Sequence, residues 1–143
     1  MSKISVLIPT YKPEEYIQRC LKSIDEQTLS KVDFKVYIAL NGPQKNFEKV
    51  IYAALEEISF DYEFFYLEKI GVSNARNYLI EKSAEPFIVF VDDDDILSDN
   101  YLSDLFSVTN SDFMGICNTK NFEFSVEAAK ENFMSRSYVD LKS

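Results

Sequence analysis

The sequence contains no histidine at all, and among its 143 residues it has only three glycines, four prolines and two cysteines. The missing imidazole excludes histidine general-base catalysis and histidine metal ligation. The two cysteines, Cys20 and Cys117, each sit in an apolar pattern and read as reduced core residues rather than a disulfide. Long apolar runs are also missing. The stretch from Met1 to Thr10 is too short for a signal peptide, and no segment could span a membrane. Cations are scarce: 15 Lys and Arg face 24 Asp and Glu, a net charge of −9. That balance argues against nucleic acid as a partner and leaves no basic cluster for an anionic membrane. A cytoplasmic location is expected, with peripheral membrane contact as an option within a longer protein.

What is present suits one compact α/β domain, because 46% hydrophobic and 15% aromatic content supplies a core for a chain of this length. Apolar strands alternate with helical spacing. Strands are expected over Ile4 to Pro9, Phe34 to Leu40, Tyr62 to Leu67, Phe87 to Val91 and Phe113 to Cys117. Helices are expected over Glu14 to Gln27, with Tyr16, Ile17, Cys20, Leu21 and Ile24 on one face; over Asn46 to Ile58; over Val72 to Ser83, with Val72, Ala75 and Leu79 buried; and after Ser98 as N-cap. A last helix is expected to begin near Ser125 or Val126. Such a series implies right-handed crossovers and a mainly parallel sheet with helices on both faces. Ligands in such sheets bind beyond the C-terminal strand ends, where strand order reverses. If strand four returns beside strand one, Thr10 and Tyr11 face the same crevice as the tip of strand four.

That tip is the most informative feature of the chain. Phe87-Ile88-Val89-Phe90-Val91 is wholly apolar, reads as buried on both faces, and delivers Asp92, Asp93, Asp94 and Asp95 at its end. If strand geometry persists, Asp92 and Asp94 share one side and Asp93 and Asp95 the other. The run is either a solvated acidic turn or a site where a hard divalent ion bridges carboxylates to phosphate oxygens. It is not an EF-hand, since Leu97 stands where the loop needs glycine and Ser103 where it needs glutamate. A metal-dependent phosphohydrolase using Asp92 as nucleophile stays open.

Three segments together resemble the inverting family-2 glycosyltransferases of GT-A fold. They are Ile4-Ser-Val-Leu-Ile-Pro-Thr-Tyr11 with Tyr16-Ile17 through Cys20-Leu21-Lys-Ser-Ile24 to Gln27, then Gly71-Val-Ser-Asn-Ala-Arg-Asn77, and then Phe90-Val91-Asp-Asp-Asp-Asp95. They stand in the family's order over positions 4 to about 117. The resemblance implies a Rossmann-like GT-A sheet, a nucleotide-diphospho-sugar donor with UDP-sugar expected, and Mn²⁺ or Mg²⁺ as cofactor. It implies transfer with inversion to a glycan or lipid-linked acceptor in polysaccharide biosynthesis. It places Pro9, Thr10 and Tyr11 at the base and ribose, Arg76 near the nucleotide, Asp92 and Asp93 on the donor, and Asp94 on the metal. Asn41 stands where the family commonly carries an acid; its amide can both donate to and accept from a base, and an acid there would sharpen base choice. The family's general base lies far beyond the aspartate run, and Glu123, Glu127, Glu131 and Asp140 fall in no recognisable motif. Residues 1–143 therefore read as one donor-binding domain ending before an acceptor-binding half, or as a non-catalytic nucleotide-sugar-binding module.

Overall fold

A computed structural model of the chain describes residues 2–108, together with the backbone of two strands at 113–117 and 136–140. The elements run β1 (Ile4–Tyr11), α1 (Tyr16–Asp25), β2 (Phe34–Asn41), α2 (Lys45–Leu55), β3 (Tyr62–Leu67), α3 (Val72–Lys82), β4 (Phe87–Phe90), α4 (Tyr101–Val108), β5 (Phe113–Cys117) and β6 (Arg136–Asp140). The first four strands form one parallel sheet in the order β3-β2-β1-β4, while β5 and β6 pair antiparallel. Strand four does return beside strand one, so the reversal of order falls between β1 and β4, as the sequence implies. The helix expected near Ser125 lies outside the described residues, as do Glu123, Glu127, Glu131 and the side chains of Asp140 and Cys117.

Helices cover both faces. The even-numbered residues of β1 and β2 (Ile4, Val6, Ile8, Phe34, Val36, Ile38, Leu40) pack against Ile17, Leu21 and Ile24 of α1, Ile51 and Leu55 of α2, and Leu102 of α4. The odd-numbered Leu7, Tyr37 and Ala39 meet Ala75 and Leu79 of α3 on the other face. Each fully buried aliphatic side chain contributes about 1.5–3 kcal/mol of burial free energy, which is why these apolar runs fix the layering. Four expected core positions lie outside the core: Tyr16, Val72, and Ile88 and Phe90 on the α3 side of β4 are exposed. Ile88 (44% exposed) and Phe90 (37%) are uncovered because α3 packs over β1 and β2 rather than over β4. The β4 run is therefore buried on one face only, through Phe87 and Val89.

The entry into β4 is held by a polar cluster. Glu85 accepts hydrogen bonds from Ser5 Oγ (2.6 Å) and Tyr37 Oη (2.8 Å). Burial would raise the Glu85 carboxyl, but these two donors outweigh it and hold the group below its ordinary value. Burial, then the Glu85 carboxylate, pushes the Tyr37 phenol up to about 12. Since Ser5 lies on β1 and Tyr37 on β2, the cluster ties the start of β4 to the two central strands. It thereby helps fix the register Ile4↔Phe87 to Leu7↔Phe90, which sets where the aspartates emerge.

Candidate functional site

At the C-terminal edge of the sheet, a cavity of about 350 Å³ is lined by Pro9, Thr10, Tyr11, Asn41, Ile70, Gly71, Val72 and Asp93. The register Tyr11↔Asn41 puts the ends of β1 and β2 side by side. Gly42 follows with φ +91°, a conformation L side chains rarely adopt, and the Tyr11 ring lies directly against it. A Cβ at Gly42 would come within 2.6 Å of Tyr11 Cε1. Tyr11 is nonetheless 47% exposed, with Lys12 Nζ 5.4 Å from its ring centroid. The half-exposed ring thus stands at the mouth of the cavity, with Gly42 against its edge and Lys12 over it. Tyr66 Oη donates to the Gly42 carbonyl at 2.6 Å and steadies the turn beneath.

Asn41 is 2% exposed, and its Nδ2 donates to the Gly71 carbonyl at 2.8 Å. The side chain ties the end of β2 to the start of α3, where Gly71 at φ +140° precedes the helix. This reverses one reading of the sequence. An acid at position 41 would lose its donor and set a carboxylate against a carbonyl oxygen, so it would disturb the cavity wall rather than sharpen base choice.

The aspartate run does not continue the strand. β4 ends at Phe90, Val91 N–H still bonds Leu7 C=O (3.0 Å), and the chain then turns, with Asp95 N–H donating to Asp92 C=O at 3.0 Å. The alternation expected of an extended strand is lost. Asp92, Asp94 and Asp95 gather on the exposed side, while Asp93 points inward and accepts a hydrogen bond from Thr10 Oγ1 at 2.5 Å. Burial pushes the Asp93 carboxyl above its ordinary value; the Thr10 hydroxyl opposes this, and the neighbouring aspartates add to it. Burial and then the Asp92 charge raise Asp95. One carboxylate oxygen from each of Asp92, Asp94 and Asp95 can lie within 4.8 Å of the others. Oxygen ligands about 2.0–2.4 Å from a common ion need be no further apart, and an all-carboxylate, solvent-facing donor set suits Mg²⁺ or Mn²⁺ with retained waters. The nearby Cys20 is no competing soft ligand: burial and the four aspartates push its thiol up, and it donates to the Asp92 carbonyl at 3.5 Å.

Arg76 lies outside the cavity lining. Its guanidinium sits 5.6 Å from the Phe90 ring centroid and 3.9 Å from Asp92 Oδ1, with Nε enclosed and unpartnered. The half-exposed pair places one positive charge beside the acidic turn. Thus Pro9, Thr10, Tyr11, Asn41 and Asp93 share one cavity, and Asp92, Asp94 and Arg76 stand at its acidic neighbour. The sequence gives no sign of Ile70 in the lining and makes Val72 a core residue, because an apolar residue beside a helix start looks like core. The Gly42–Tyr11 contact was equally hidden, since Asn41-Gly42-Pro43 reads simply as a turn.

Residues 5–128 match the profile of Glycosyl transferase family 2. The chain is 32% identical over 99 residues to the teichoic acid poly(glycerol phosphate) polymerase of Staphylococcus epidermidis, covering 68% of this chain and 14% of that protein. It is 26% identical over 104 residues to the poly(ribitol-phosphate) beta-N-acetylglucosaminyltransferase TarS of Staphylococcus aureus, covering 73% of this chain and 18% of TarS. The chain thus spans less than a fifth of the length of either relative. Residues 1–349 of S. aureus TarS in complex with UDP superpose with a TM-score of 0.72 at 24% identity, covering 86% of this chain and 37% of that one. A mannosyltransferase from Pyrobaculum calidifontis in complex with GDP-Man and Mn²⁺ gives a TM-score of 0.73 at 16% identity, covering 82% of this chain and 36% of that one. These likenesses show the GT-A fold. Among the described residues, no helix is long and apolar enough to cross a membrane.

Proposed function

This chain belongs to glycosyl transferase family 2, and from that premise we propose that residues 1–143 form a nucleotide-diphospho-sugar-binding domain whose donor is a UDP-sugar. The observation that carries the reading is the Thr10–Asp93 hydrogen bond, which joins the cavity at the end of β1 to the aspartate turn at the end of β4. Base and diphosphate recognition are thereby set side by side at the strand-order reversal. Family membership also replaces the phosphohydrolase alternative for Asp92.

In this reading the half-exposed Tyr11 ring stacks on the base, and Pro9 and Thr10 line the ribose. Asp93 accepts from a ribose or sugar hydroxyl, as it now accepts from Thr10. Asp94, with Asp92 and Asp95 beside it, would hold Mn²⁺ or Mg²⁺, and a bound divalent ion supplies Lewis-acid stabilisation of charge on the departing diphosphate. Arg76 keeps Asp92 from repelling its neighbours and brings a cation to the diphosphate side. The TarS structure in complex with UDP-GlcNAc supports a UDP-sugar as donor. Transfer with inversion to a glycan or lipid-linked acceptor additionally needs a base for the acceptor hydroxyl. None of the described residues is assigned that role.

The test is calorimetric titration with UDP, GDP, ADP and CDP in Mn²⁺. UDP is expected to bind at least about tenfold tighter than GDP, a difference of about 1.4 kcal/mol, in keeping with the likeness to the UDP-GlcNAc complex. Equal affinity for all four would remove the base from this cavity.

A further inference from the structure

The polar side chains near the C-terminal end of α1 and just after it make contacts that the donor cavity does not use. Cys20 and Ser23 stand at i and i+3 on one face of α1, Gln27 and Thr28 follow in the turn past its end at Asp25, and together they meet the irregular stretch between β4 and α4. Cys20 Sγ donates to Asp92 C=O, as above. Ser23 Oγ accepts from Leu97 N–H (3.0 Å) while donating to Cys20 C=O (2.7 Å). Gln27, buried, uses both ends of its amide: Nε2 donates to Ser98 C=O (2.7 Å) and Ser23 C=O (3.1 Å), and Oε1 accepts from Leu102 N–H (2.9 Å). Thr28 completes the series through its N–H to Asp99 C=O (2.9 Å) and its hydroxyl to Asn100 Oδ1 (2.8 Å).

At Asp92 and again from Leu97 to Leu102 the stretch is thus fastened to α1 and the turn after it. Gln27 also answers why Ser98 is not the N-cap the sequence suggests. α4 begins at Tyr101, and an otherwise orphaned N–H of its first turn is capped by Gln27 from the turn after α1. A segment without regular structure must satisfy its buried backbone groups somewhere, and here it does so on α1 and the turn after it.

We propose that this face of α1, with the turn that follows it, is a positioning clamp for the aspartate turn, with Gln27 as its principal positioning residue, so that the clamp sets how tightly Asp92, Asp94 and Asp95 hold a divalent cation. The inference rests on the metal role given above to those aspartates. Gln27 touches neither metal nor nucleotide. It acts by fixing Ser98 and Leu102 in the segment that follows the aspartates, while Ser23 holds Leu97 nearer to them, as the partners behind a metal ligand fix its orientation. Tyr11 and Asn41 are on the β1 and β2 ends, and Asp93 is held to β1 by its own hydrogen bond from Thr10, so nucleotide binding without metal should not depend on the clamp.

The experiment measures two affinities in the full chain: Mn²⁺ in the presence of saturating UDP, by electron paramagnetic resonance, and UDP in EDTA, by calorimetry. For Gln27→Met, Mn²⁺ affinity is expected to fall about tenfold or more, within the 10–100-fold typical of lost supporting contacts. UDP affinity in EDTA should stay within about twofold. Thr28→Val, at an exposed position, should weaken Mn²⁺ in the same direction by about two- to threefold without risk to folding. If Gln27→Met is not folded by circular dichroism, Thr28→Val decides on the same criterion. Unchanged Mn²⁺ affinity in the folded variants overturns the clamp, and so does a parallel fall in both affinities, which would mean general loosening. A wild-type protein that binds UDP equally in Mn²⁺ and EDTA overturns the metal role itself and the clamp with it.

Discussion

Asp94→Asn is expected to abolish the Mn²⁺ dependence of UDP binding, lowering affinity in Mn²⁺ by about 10²-fold, or roughly 2.7 kcal/mol. Of the three gathered carboxylates, Asp92 is paired with Arg76, and Asp95 Oδ2 faces the Asp92 N–H at 3.4 Å. Asp94 makes no hydrogen bond or ion pair among the described residues, so its charge is the one left for a cation. Asparagine preserves its shape and removes that charge. Asp95→Asn should have a smaller effect, because that side chain is already turned back on its own loop. Calorimetry of both variants in Mn²⁺ and in EDTA separates them. Full metal dependence in Asp94→Asn would transfer the ligand role to Asp92 or Asp95.

Gly42→Ala is expected to damage both stability and binding. At φ +91° an alanine is strained by about 1–2 kcal/mol. Its Cβ also occupies the space of the Tyr11 ring, at 2.6 Å from Cε1 and 2.9 Å from Cδ1. The ring would have to swing from the cavity mouth. Base–aromatic stacking is worth about 1–3 kcal/mol, so losing it should weaken UDP by roughly 5- to 150-fold. Tyr11→Ala supplies the contrast, with a similar loss of affinity but little loss of stability, since the ring is half-exposed and leaves the glycine unstrained. Urea denaturation and calorimetry read the two effects separately. A Gly42→Ala protein that binds UDP normally would take Tyr11 away from the base.

Much of this architecture is legible in the sequence, for physical reasons. The apolar runs of β1 and β2 and the helical spacing of Ile51, Ala54 and Leu55 require burial, so element type and order follow from hydrophobic period. The reversal between β1 and β4 brings Thr10 to Asp93 across 83 positions of sequence. Other features depend on long-range contacts that no local pattern encodes. The aspartates leave strand geometry because β4 stops at Phe90, and the Asp95 N–H to Asp92 C=O bond then closes a turn. Ile88 and Phe90 look like core, yet α3 leans over the two central strands and leaves them bare. Gln27 reads as the end of a helix, but its amide spans backbone groups more than 70 residues away. Asn41 reads as a turn residue and serves as a brace between β2 and α3.

The most direct test of the account is a single pair of titrations of the wild-type chain with UDP, one in Mn²⁺ and one in EDTA. An acidic protein with a net charge of −9 should bind an anionic diphosphate well only when a cation joins the two. The account predicts affinity at least about tenfold higher in Mn²⁺, with the increment saturating at one ion per chain. Equal affinity in both buffers would contradict it.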